Sequence, residues 1–226
     1  NSIKILNMKK NQGHARCIAT GLKFIYEKED FDYIIPMDGD GEDRPEEIKE
    51  FLNYIKDNKE KTIVGERIKR SESLLFQVCY KMHKLITFTF TGNIIKFGNF
   101  TCLPKKTVEK MINEKATWNS FSGALTKVEK DLISIPSIRG SRYFGPSKMS
   151  FYNLIKHSLS IISVFRKTFL IRSALFIVLY ILLIRTNASV ITAIPLILLL
   201  IAVYSISNLA LRENMDEFEK SLENIN

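Results

Sequence analysis

The densest run of acidic side chains follows a short apolar segment. Residues 33–37 read Tyr-Ile-Ile-Pro-Met, and Asp38-Gly-Asp-Gly-Glu-Asp43 comes next. Asp38, Asp40 and Glu42 alternate along a loop loosened by Gly39 and Gly41. Alternate carboxylates on an extended loop can converge on one hard divalent cation. Such a cation can bridge a diphosphate and stabilise its charge as it leaves. A calcium EF-hand loop is excluded, because its sixth and twelfth positions would be Asp43 and Lys49 instead of Gly and Glu. A helix N-cap would account for Asp43 or Glu46 but not for Asp38 and Asp40. A solvated polar turn stays open as the competing reading.

The elements around this loop must place it. An apolar run suits a buried strand, and ligands of a parallel α/β sheet bind beyond the carboxyl ends of its strands. The pattern predicts a strand over 2–6, a helix over 15–26 with Ile18, Leu22, Ile25 and Tyr26 on one face, and a strand over 33–37. Pro45 opens a second helix carrying Ile48, Phe51, Leu52 and Ile55, and 62–64 is another strand. This succession argues a parallel sheet with helices on both faces. A further helix is expected over 74–95, with Leu75, Val78, Met82, Leu85 and Ile86 near helical spacing.

The net charge of +9 suggests a basic soluble chain, and a mean hydropathy of −0.01 agrees. Both averages conceal segregation. Residues 187–211 carry no charge, enough to cross a bilayer core, and 168–184 are apolar except for Arg172. Arg185-Thr-Asn187 is too short for anything but a turn between them. Residues 132–172 hold seven basic side chains (Arg139, Arg142, Lys148, Lys156, Arg166, Lys167, Arg172) and no acidic one. A basic cluster beside apolar spans is attracted to anionic lipid by about 1 kcal/mol per residue. The segment 150–165 reads as an amphipathic interfacial helix with Phe151, Leu154, Ile155, Leu159 and Ile162 on one face. The basic bias places the domain in the cytoplasm. Nucleic acid is not expected as a partner, since no recognition motif accompanies the charge. Cys17, Cys79 and Cys102 form no C-x-x-C pair, which fits a reducing compartment.

Four segments then resemble glycosyltransferase family 2 in order. Asp38-Gly-Asp40 resembles its D-x-D region, and Asn11-Gln-Gly-His-Ala-Arg-Cys-Ile-Ala-Thr-Gly21 resembles the N-x-G helix start before it. Gly65-Glu-Arg67 resembles G-[ST]-R, and Arg142-Tyr-Phe-Gly-Pro-Ser-Lys148 resembles R-x-x-G-x-S-K. The last marks the branch of dolichol-phosphate mannose synthase and bacterial polyprenyl-phosphate glycosyltransferases. The resemblance implies a GT-A-like (Rossmann-like) α/β parallel-sheet domain with a nucleotide-sugar donor and a divalent metal, Mg2+ or Mn2+. By position, Asp38 would contact the sugar-nucleotide or the metal and Asp40 would ligate the metal, both as catalytic residues. Glu42, a third metal ligand, stands where the branch commonly has Gln. Asn11, Gly13 and Asn99 would bind substrate, and Arg67, Arg142 and Lys148 would hold phosphates of the donor or of a lipid-phosphate acceptor.

A phosphate monoester is largely a dianion at neutral pH and attacks an anomeric carbon without a general base, which a sugar hydroxyl needs. In Gly98-Asn-Phe-Thr-Cys-Leu103 the sequence departs from a G-D-F-R-L-like segment, with Asn99 for an acid and Thr101 for an arginine. That leaves the acceptor open. The resemblance also implies two βα units before Asn1, about 30 residues each. The expectation is a partial GT-A domain (1–149, incomplete at its N-terminus) that binds donor poorly by itself. A juxtamembrane helix (150–167), two transmembrane helices (168–211) and a cytoplasmic tail (212–226) follow. The expected function is a membrane-anchored, inverting transferase moving a sugar to polyprenyl phosphate or another lipid-linked acceptor on the cytoplasmic face of the cell membrane. The rival is a non-catalytic membrane scaffold or partner-binding subunit, and a homo-oligomer stays open.

Overall fold

The computed structural model describes residues 3–69, 74–145 and 150–226. Four strands, β1 (Tyr33–Ile34), β2 (Thr62–Lys69), β3 (Phe97–Pro104) and β4 (Leu132–Ile138), form one sheet in the order β1-β3-β2-β4. Helices α1 (His14–Lys28), α2 (Ile48–Asp57), α3 (Leu74–Thr91), α4 (Lys105–Ile112) and α5 (Phe121–Val128) alternate with them. Three more follow, α6 (Phe151–Ser163), α7 (Arg166–Ile184) and α8 (Val190–Ala210), and then the short α9 (Met215–Glu219).

The sheet is mixed, which corrects the parallel expectation. β2 and β4 are parallel, while β3 runs antiparallel to both β1 and β2. The cause is the course of α3. A helix lying across the sheet would return the chain to the far end, but α3 packs against α6 and α7. The chain therefore re-enters beside the end of β2, with Phe97 opposite Glu66.

Alternation along the strands separates two cores. One face buries Val64 and Leu103 against Leu22, Met111 and Leu125 from α1, α4 and α5. The other buries Ile63, Phe100, Cys102 and Ile135 under Phe51 of α2. Phe51 and Phe100 meet edge to face at 4.9 Å. At these distances, aromatic pairs contribute about 0.5–1.5 kcal/mol beyond burial. Cys17 is exposed, Cys102 is buried, and both are free thiols.

Other boundaries shift for local reasons. Residues 3–6 form no strand, and Ile3 and Ile5 are 93% and 78% exposed, so no apolar face drives pairing there. The strand expected over 33–37 contracts to Tyr33–Ile34, since Pro36 has no N–H for a ladder. Pro45 opens a 3-10 turn that runs into α2. Helix α3 ends at Thr91 rather than at 95, because Gly92 turns left-handed (φ +76°). The Arg172 guanidinium donates to the Phe88 and Thr89 carbonyls at 3.1 and 2.7 Å, satisfying the end of α3. Met82, Leu85 and Ile86 of α3 are exposed.

Helices α7 and α8 are long and apolar enough to cross a membrane, with mean hydropathies of 2.1 and 2.5. Ser189 and Thr192 form a capping box that starts α8. The two helices pack antiparallel, since Tyr180 donates to the Thr192 carbonyl at 3.1 Å near one end. At the other end Phe169 and Ile206 cluster with Ile162 of α6.

Candidate active site at the carboxyl edge of the sheet

Strands β1, β2 and β4 point the same way, so their carboxyl ends share one edge with the amino end of β3. The loop after β1 delivers Asp38 there. The Asp38 Oδ1 accepts from Asn99 Nδ2 of β3 at 3.0 Å and lies 3.1 Å from Nε2 of His14, the first residue of α1. Asp43 is 4% exposed. It accepts from the Asp38 backbone N–H at 3.0 Å and from Arg67 of β2 at 3.4 Å. Arg142, from the segment after β4, donates to Asp40 at 3.1 Å and to Glu42 at 2.9 Å. Arg139 also pairs with Glu42.

Two loops are therefore zipped together, and their backbones complete the seam. Gly140 N–H donates to the Glu42 carbonyl at 2.8 Å, and Tyr143 N–H to the Asp40 carbonyl at 2.9 Å. Glycine is required at both contacts. A Cβ on Gly140 would overlap the Gly41 carbonyl, and a Cβ on Gly41 would meet the Tyr143 ring at 2.8 Å. Gly41 is also left-handed, with φ +91°.

The electrostatics follow from these partners. The hydrogen bond from His14 holds the Asp38 carboxyl below its ordinary value, so it is an anion at neutral pH. The same bond raises His14. Burial pushes the Asp43 carboxyl up, opposed by the Asp38 N–H and by Arg67. The edge thus holds carboxylates whose charge is met by guanidinium groups and an imidazole from the same chain.

Several residues singled out in the sequence meet here: Asp38, Asp40, Glu42, Asn99, Arg67 and Arg142. The Asn99 amide donates to Asp38, where a carboxylate at position 99 would repel it. Arg67 faces Asp43, and Thr101 is fully buried, with its hydroxyl on the Asn99 carbonyl at 3.2 Å. Asn11 Oδ1 accepts from Gly13 N–H at 2.9 Å and shapes the turn into α1, where Gly13 has φ +90°. Lys148 lies outside the described residues.

Asp38, Asp40 and Glu42 do not converge as a cation cage. Asp38 faces Asn99 and His14, Asp40 and Glu42 share the Arg142 guanidinium, and among the described residues no three His, Cys, Asp or Glu side chains come together as a metal site. His14, Arg139, Asp43 and Tyr143 are additional members of the site. His14 had a signal, its place inside the N-x-G segment. Tyr143 lies inside the Arg142–Lys148 segment but at one of its variable positions, and Arg139 had no signal beyond lying in the basic window. A groove of about 690 Å3 between Tyr33, Ile55, Pro104 and several lysines opens at the opposite edge, away from these acids.

A family model described as glycosyl transferase family 2 matches residues 1–117. No curated protein and no solved structure matches the chain.

Proposed function

We propose a specific reaction from the premise that the chain belongs to glycosyl transferase family 2. Membership makes it a glycosyltransferase with a nucleotide-sugar donor and an acceptor. The proposed reaction is inverting transfer of the sugar to a lipid phosphate of the polyprenyl-phosphate class, at the cytoplasmic face of a membrane. It places the chain in the dolichol-phosphate mannose synthase branch.

One observation carries this reading. Arg142 touches the acid loop and lies nine residues before Phe151, where α6 begins and leads on to the two apolar helices. This supports assigning Arg142 to phosphate, since in chain order it stands between the acid loop and the apolar helices. The seven basic residues of 132–172 bias that side towards anionic lipid and the cytoplasm.

In the proposed mechanism Asp38, anionic and oriented by Asn99 and His14, accepts hydroxyls of the donor. Arg142 and Arg139 turn from Asp40 and Glu42 towards phosphate, Arg being suited to bidentate contact. Arg67 fixes the loop through Asp43, and Lys148 is assigned to phosphate by its motif alone. The acceptor phosphate is already a dianion, so no side chain need remove a proton from it.

The carboxylates as arranged do not form a preformed metal site. Mg2+ or Mn2+ dependence is a separate proposal, in which Asp40 and Glu42 exchange guanidinium for the cation. Arg142→Ala should then tighten Mn2+ binding read by electron paramagnetic resonance, and unchanged affinity would remove that idea.

The decisive assay incubates radiolabelled nucleotide-sugars with membranes containing the full-length protein and polyprenyl phosphate. Label should enter the organic-extractable lipid, and Asp40→Asn should abolish this. No lipid-linked label with any common nucleotide-sugar would sink the proposal. The ion pairing of Asp40 and Glu42 within the chain favours one second reading, a non-catalytic membrane scaffold. Calorimetric binding of a nucleotide-sugar in the presence of Mn2+ would count against it.

A further inference from the structure

Residues 214–226 return from α8 to the globular domain and clasp the entrance to α1. Phe218 is fully buried and stacks on Trp118, with ring centroids 5.4 Å apart. The Glu217 carboxylate accepts from the Trp118 indole at 3.0 Å and pairs with Arg16 of α1, also at 3.0 Å. The Arg16 guanidinium lies 4.9 Å over the Trp118 ring. Further along α1, Lys23 donates to the Glu219 carbonyl at 2.6 Å.

The same segment grips the chain before α1. Met8 and Ile225 form an antiparallel bridge. Lys9 N–H donates to the Asn224 carbonyl at 2.8 Å and Asn226 N–H to the Asn7 carbonyl at 2.9 Å. Residues 7–9 and Arg16 are therefore both held by the tail, and the stretch between them contains Asn11–His14. That stretch has few other restraints. Gly13 is left-handed, no side chain caps α1, and the Asn11 side chain bonds only two residues ahead. His14 nonetheless reaches Asp38 at 3.1 Å.

We infer that residues 214–226 are a positioning strap for the active site, fixing the Asn11–His14 turn so that His14 meets Asp38. The strap lies outside the residues matched by the family model, and it follows directly on the second apolar helix. The inference rests on the reading of this edge as the donor site. The physical case is pre-organisation. A turn with a glycine and no cap samples many conformations, and pinning both of its flanks removes that freedom before the donor binds.

The test uses the full chain in lipid nanodiscs. Trp118 is the single tryptophan, so its emission reports docking of Phe218. Phe218→Ala should shift that emission to the red. It should also speed amide exchange in peptides covering 9–17 by about tenfold, while β2 and β4 stay protected. In turnover, the donor KM should rise about tenfold, with the acceptor KM unchanged.

Rescue guards against a variant that only loosens the fold. In a Cys17→Ser, Phe218→Ala background, Met8→Cys and Ile225→Cys place a disulfide across the bridge. Oxidation should restore the donor KM and slow exchange in 9–17, and reduction should reverse both. An unshifted Trp118 emission overturns the strap, because the segment is then not held by this stack. So does undocking that leaves 9–17 and the donor KM unchanged, or a uniform loss of kcat with exchange raised throughout. If the full-length wild-type protein transfers no sugar, the proposed function falls, and the exchange measurements, including their rescue by oxidation, still decide the strap.

Discussion

His14 and Asp38 form a pair whose charge depends on pH in both directions. The imidazole is raised above its ordinary 6.5 chiefly by its bond to Asp38, so its share of the pairing is full below 6.5 and is lost as pH rises through the elevated value. The carboxyl is lowered below 3.8, so its share is present above 3.8 and is lost as pH falls through the depressed value. The charged pair therefore persists across the interval between these two limits. Nuclear magnetic resonance of the imidazole should show His14 titrating above 6.5, and Asp38→Asn should bring it down. An unmoved titration in that variant would show that Asp38 is not the cause. Gly41 offers a steric counterpart. Forcing an L-residue into a left-handed conformation costs roughly 1–2 kcal/mol, so Gly41→Ala should lower stability by about that much. It must also push Tyr143 aside. In urea titrations, adding Tyr143→Ala should relieve the steric part and leave the backbone part. Unchanged stability in Gly41→Ala would contradict the left-handed turn.

Among the elements, β3 shows how a helix dictates a strand. Because α3 leaves the sheet to pack on α6 and α7, β3 enters antiparallel and brings its amino end, with Asn99, beside Asp38. A parallel β3 would have carried Asn99 to the other edge. Periodicity alone could not show this, since it reports which residues share a face and not the direction in which an element runs. Helix α2 is a simpler case, legible from Phe51 and its apolar neighbours, and its anchor is testable. Phe51 is fully buried against Phe100, Ile63 and Ile135. Phe51→Ala should cost about 3–5 kcal/mol, read as a lowered urea midpoint with unchanged slope. A loss below about 1 kcal/mol would show that this face of the sheet is not packed as described.

For the molecule as a whole, the two apolar helices and the tail belong to one arrangement. The chain enters α7 from the globular domain and, after α8, returns to the same domain, where Phe218 is buried. Both ends of the helix pair are therefore tied to one side. If the pair crosses a bilayer as proposed, the chain should stay with vesicles in about 1 M salt, where the Debye length is roughly 3 Å, and through an alkaline carbonate wash. Only detergent should release it. Release by salt would reduce the attachment to the basic cluster, and release by carbonate would remove the spanning role from α7 and α8.

Contiguous chemistry is what the order of residues could specify here. The apolar stretches, the acid loop after a strand, the helix that follows Pro45 and the basic window are each properties of neighbouring residues. What the acid loop meets follows from the packed fold. Its partners come from α1, β2, β3 and the segment after β4, with separations from 24 residues for His14–Asp38 to 103 for Tyr143–Asp40. Such pairings depend on strand direction and helix course, which are fixed by burial across the whole domain. The docking of the tail on Trp118 belongs to the same class, for Glu217 is 99 residues from its indole partner.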